Sequence, residues 1–191
     1  MAVLLLASKL VHLPVVSVDS GEDVAEIKDV IYSPEEGRLL GFTLNKRGFL
    51  KGRMSEVLPT ELVHAVGEAA VMIDNDACLI DPSAASDDVA KPPANRNVLG
   101  NSVVTDGGVR LGVVTDLVLE LGRSFAVTGY QVKAEDGSHR FVPLLSQLAV
   151  SGDVLMVPAA TEEFIREELS GFELAVDKFR AQTGHGAGHP S

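Results

Sequence analysis

Four cations fall within the run Lys46-Arg47-Gly48-Phe49-Leu50-Lys51-Gly52-Arg53, in a chain whose formal net charge is −11. Ammonium and guanidinium groups at this density recognise carboxylates or phosphates, and Phe49 and Leu50 would add apolar contact. The glycines suit the tip of a hairpin. Such a loop fits an acidic protein surface, RNA or anionic lipid; the plainer reading is a solvated hairpin whose cations offset neighbouring acids. A second set of reactive groups is the aspartates Asp19 and Asp106, and Asp29 and Asp116, which recur at one spacing. Such carboxylates could ligate a metal or exchange protons, but recurrence favours bonds to nearby backbone amides at turns and strand ends. His12, His64, His139, His185 and His189 match no zinc spacing with Cys78. No nucleophile elbow, phosphate loop, dinucleotide fingerprint or HExxH motif occurs, so no enzyme, metal or cofactor is expected.

The elements that must position these residues come twice. The stretch from Val18-Asp19-Ser20-Gly21 to Asp29-Val30 returns as Thr105-Asp106-Gly107-Gly108 to Asp116-Leu117. Gly41-Phe42 returns as Gly129-Tyr130, and Val57-Leu58-Pro59 as Phe141-Val142-Pro143. The spacing drifts only between matched segments, as in two copies of one small fold; solenoid units are shorter and more numerous. Each copy reads as short β-branched strands broken by Asp-Gly and Pro turns, which predicts a mainly β fold of two tandem small β-barrels or sandwiches. Residues 8–80 form the first domain and 96–158 the second. Between them, 81–95 reads as a semi-stiff linker with nothing to bury. Thr161-Glu162-Glu163 opens an amphipathic helix over 161–182, with Ile165, Leu169, Phe172, Val176 and Phe179 on one stripe and Ser170-Gly171 as a weak point. Residues 183–191 form a Gly-rich tail.

Acids outnumber bases in both halves, which argues against general nucleic-acid binding. The single cysteine permits no internal disulfide, and no apolar run is long enough to span a bilayer; a cytoplasmic protein is expected. With no tryptophan, the cores must come from Val, Leu, Ile and Ala, and halves this small are expected to lean on each other or on a partner.

In both copies the order is apolar strand, Asp-x-Gly turn, small residue (Ala25, Gly112), acidic strand position (Asp29, Asp116), Gly-aromatic, then apolar-apolar-Pro. This pattern resembles the PRC-barrel family, over roughly residues 8–158; Ala25 stands where the family usually has Gly. The resemblance implies a bacterial binding or assembly module without an active site, acting through protein–protein contacts or as a homo-oligomer. The alternative it implies is an RNA- or ribosome-associated assembly factor using the basic loop. Under either reading Lys46, Arg47, Phe49, Leu50, Lys51 and Arg53 are the candidate partner-binding residues.

Overall fold

The computed structural model of the chain describes residues 3–47, 52–90, 98–122, 124–144 and 149–184, with the backbone alone at 149–151 and 184. The first half holds β1 (Val3–Leu6), β2 (Pro14–Ser17), β3 (Asp23–Ser33), β4 (Arg38–Lys46), β5 (Gly52–Pro59), β6 (Val63–Val66) and β7 (Val71–Ile73). After a short helix, α1 (Asp87–Ala90), the second half holds β8 (Ser102–Thr105), β9 (Arg110–Leu121), β10 (Ala126–Lys133), β11 (His139–Pro143), β12 (Ala149–Ser151) and β13 (Val154–Val157). It ends in α2 (Phe172–Gly184). The fold is mainly β with a C-terminal helix, as the sequence predicts.

The repeat holds strand for strand. β2 runs parallel to β7 as β8 does to β13, and β3, β4 and β5 pair antiparallel as β9, β10 and β11 do. Even the irregularities recur: the β3–β4 register slips between Ile27 and Asp29, and the β9–β10 register slips between Val114 and Asp116. A tight turn before β2 puts His12 in the left-handed region (φ 72°), where the second half has Gly100 (φ 89°).

The halves meet about a local two-fold axis. β4 pairs with β10 at Arg38 and Ala126, which occupy equivalent places in the two copies. The Leu39 amide donates to the Phe125 carbonyl (3.0 Å), and the Val127 amide donates to the Gly37 carbonyl (2.8 Å). Leu39 matches Val127 and Gly37 matches Phe125, so each hydrogen bond is the symmetry mate of the other. At this junction the Tyr32 and Tyr130 hydroxyls bond each other at 2.9 Å, and burial pushes Tyr32 up to about 12 and Tyr130 higher still. β1 joins β9 of the other half, pairing Val3 with Leu121 through Leu6 with Val118.

The halves are therefore one thirteen-stranded sheet whose path of pairing does not close, and not two beads on a linker. One apolar cluster runs through both, from Leu10, Ile27, Phe42 and Leu58 to Val103, Leu119, Tyr130 and Leu155. The physical reason is size: a half this small leaves too much of its apolar surface wet, and fusion buries it.

Residues 81–90 are likewise no free spacer. Ile80 exchanges backbone hydrogen bonds with Val57 (2.9 and 3.0 Å), Asp81 caps a 3-10 turn at Pro82–Ala84, and Val89 is 5% exposed against Ile31, Leu40 and Val57. The small polar residues hid one apolar anchor. The tail expected at 183–191 begins within α2, which runs to Gly184; residues 185–191 lie outside those described.

The helix expected over 161–182 is divided. Ala159–Phe164 forms 3-10 turns, Arg166 bridges to Phe141 in extended form, and Gly171 turns left-handed (φ 79°) before α2. The apolar stripe is real but serves two surfaces: Ile165 packs on the main core, while Phe172, Val176 and Phe179 cover the outer face with Val118, Phe141 and Phe164. Thr161, expected as a cap, is fully buried, and its hydroxyl has no hydrogen-bond partner among the described residues.

Candidate interaction site

The basic run sits on the β4–β5 hairpin. Phe49, Leu50 and Lys51 lie outside the described residues; Lys46, Arg47 and Arg53 are described and exposed. Arg47 is engaged within the chain. Its Nε donates to Asp23 at 2.8 Å and its Nη1 to Glu26 at 3.1 Å, both on β3. His12, by a 3.2 Å hydrogen bond, and Arg47 hold the Glu26 carboxyl below its ordinary range. The equivalent place in the second half carries the same pair with signs exchanged, Arg110 facing Glu135 at 3.9 Å. A cross-strand ion pair thus belongs to the hairpin base in both copies, and Arg47 is the first copy's member of it. Lys46 and Arg53 have no such counterpart. In the second half the β10–β11 tip is closed on itself: Asp136 accepts from the Ser138 amide (2.9 Å) and hydroxyl (2.6 Å), and Arg140 reaches Asp136 at 3.0 Å.

Three of the four repeated aspartates, Asp29, Asp106 and Asp116, accept from backbone amides. At the slipped register, Asp29 accepts from the Val30 amide and Asp116 from the Leu117 amide, both at 2.8 Å. This fixes the bulge that each strand needs to bend. Asp116 also takes the Ser8 amide at 3.2 Å, tying the first half's entry to the second half's strand. Asp19 and Asp106 are not true equivalents. The amides of Val18 and Asp106 occupy matching places, donating to Ile73 and Val157, so the first copy's turn is one residue longer. Asp106 accepts from the Ala159 amide at 2.7 Å. His64 bonds Asp74 at 2.7 Å, and no group of His, Cys, Asp or Glu suited to a metal occurs among the described residues.

Sequence reasoning missed a groove of about 590 Å³ at the junction of the halves. It is lined by Val63, His64, Ala65 and Val66 of β6, by Thr60 and Glu61 just ahead of β6, and by Val3, Leu121 and Phe125 from β1, the end of β9 and the turn before β10. Side chains alternate along a strand, so a cavity touching four residues in succession runs along its edge. β6 pairs only with β7 among the described strands. Phe125 is held left-handed (φ 46°) where the first half has Gly37 (φ 63°). Its ring, 6% exposed, meets Phe42 edge to face at 6.2 Å and floors the groove. No sequence signal marks the site, because its walls come from distant segments that only the two-fold junction brings together.

Residues 3–86 match the family model of the PRC-barrel domain. The first half of this chain is a PRC-barrel domain. A comparison with curated proteins found no match. The family match stops short of the second half; its relation to the PRC-barrel half rests on the shared motifs, strand order and bulges. PRC-barrel domains are generally without catalytic activity. No helix among the described residues is long and apolar enough to cross a membrane.

Proposed function

We propose that this chain is a non-enzymatic binding module, a bacterial cytoplasmic scaffold that works through protein–protein contacts. The observation that carries the reading is the unpaired β6 edge along a groove built by both halves: fusion makes a rigid platform, and the edge gives it something to present. Lys46 and Arg53 offer a second contact at the β4–β5 tip. The RNA or ribosome alternative is weakened by Arg47, whose charge is met by Asp23 and Glu26. Affinity purification of the full chain from native lysate, with light crosslinking and a parallel RNase-treated sample, tests the proposal. A defined protein set that survives RNase is expected. Loss of the set on RNase treatment would transfer the function to RNA, and an empty set would end the scaffold reading. Reversing charge at Lys46 and Arg53 should reduce recovery if the tip takes part; unchanged recovery removes it.

A further inference from the structure

We propose that the groove along β6 takes an extended segment of a partner protein, added to β6 as a further strand. The segment is apolar on the side turned to Phe125 and flanked by basic residues. This deepens the scaffold reading and rests on it.

A sheet edge is a row of backbone donors and acceptors, and proteins usually cover, shorten or charge it. This chain covers two such edges: Ile80 pairs with Val57 on β5, and Arg166 with Phe141 on β11. β6 has neither a bridging residue among those described nor a lysine or proline, since it reads Val63-His64-Ala65-Val66. Backbone pairing to that edge is indifferent to the sequence of the added strand. Selectivity must come from the rest of the lining, where Val3, Leu121 and Phe125 supply apolar contact. The register slip at His64 keeps the available edge short, so a short segment is what fits.

Charge selects the flank. Glu61 is 61% exposed in the groove lining and shares Arg38 with Glu36, while Asp74 holds His64. Among the described residues, carboxylates therefore outnumber the guanidinium in and next to the groove, on a chain of net charge −11. An acidic segment would be repelled and a basic one drawn in.

The test is a phage-displayed random dodecapeptide library selected on the full chain. Enriched peptides are then labelled and titrated by anisotropy against wild type, Ala65→Lys and Glu61→Lys. Both positions are exposed, so each variant should keep the wild-type melting midpoint. Alternating apolar peptides with Lys or Arg at one flank are expected. Ala65→Lys, which fills the groove and repels that flank, should weaken them about tenfold or more; Glu61→Lys should weaken them a few-fold, in a salt-dependent way. No enrichment, acidic peptides, or binding indifferent to Ala65→Lys would overturn the proposal. So would a dimer in light scattering that Ala65→Lys dissociates, which would give the edge to a second copy. If the crosslinked set from lysate is unchanged by Ala65→Lys, the groove fails and the scaffold reading stands; an empty set for wild type removes both.

Discussion

On the second half, the outer face of the sheet lies under α2. Phe172 and Phe179 are fully buried there with Val176, over Val118 and Phe141. On the first half, the equivalent face, Ile31 and Val57, lies under one turn of helix, with Val89 and Ile80 as its apolar cover. The two covers arise at matching points, because Ile80 bridges to Val57 as Arg166 does to Phe141. The duplication thus reaches past the last strand of each copy. α1 itself spans only Asp87–Ala90. The second half carries a thirteen-residue helix at this place, and the first half carries the single turn of α1 with Val89 and Ile80.

The largest expected effect follows directly. Phe172→Ala should cost about 3–5 kcal/mol in denaturant unfolding, whereas Val89→Ala should cost about 1.5 kcal/mol. Equal losses would mean that the two covers matter alike and would break the comparison. Next is the junction. Phe125→Gly restores the residue that the first half has at Gly37; it relieves about 1–2 kcal/mol of left-handed strain but removes a buried ring worth about 3–5 kcal/mol. A net loss of about 2–3 kcal/mol is expected, and a gain in stability would show that the ring is not what keeps Phe125 there.

A glycine pair sharpens the contrast. A Cβ at Gly129 would stand 2.5 Å from the Phe172 ring and 2.6 Å from the Val142 carbonyl; at Gly41 the nearest atom is the Leu58 carbonyl at 2.9 Å. Gly129→Ala should cost about 1–3 kcal/mol and exceed Gly41→Ala, with part of the excess vanishing in a Phe172→Ala background. Additive losses would deny the contact.

The smallest effect is electrostatic and confined to the first half, since Val113 stands where Glu26 does. The Glu26 carboxyl is held below its ordinary value in the fold, so its contribution is present above the unfolded value and lost as pH falls through the folded one. Glu26→Gln should flatten the acid side of a stability profile below about pH 5, by about 0.2–1 kcal/mol. An unchanged profile would remove the His12–Glu26–Arg47 cluster from the account.

Much of this was legible in the chain. Asp29 and Asp116 announced carboxylates bonded to nearby backbone amides, and Gly41-Phe42 and Gly129-Tyr130 announced matching strands, because such bonds and close packing constrain residue type locally; that the bonds sit at a shared bulge came from the structure. Val89 escaped notice as one apolar residue among small and polar ones. The division of the C-terminal stripe at Gly171 was hidden for a different reason: periodicity records which residues are apolar and not which surface each will meet. For Arg47 the plainer reading of the basic run holds, but only the pairing of β4 with β3 identifies Asp23 and Glu26 as the acids that it offsets.

The sequence by itself determined the duplication, the strands and the turns, since these follow from alternation, β-branched runs and Gly or Pro punctuation acting over a few residues. Only the tertiary structure decided that the copies fuse about Arg38 and Ala126, that Tyr32 and Tyr130 share a hydrogen bond, and that β6 borders a groove. Those contacts join residues far apart in the chain, and they are selected by the apolar surface that each half cannot bury alone.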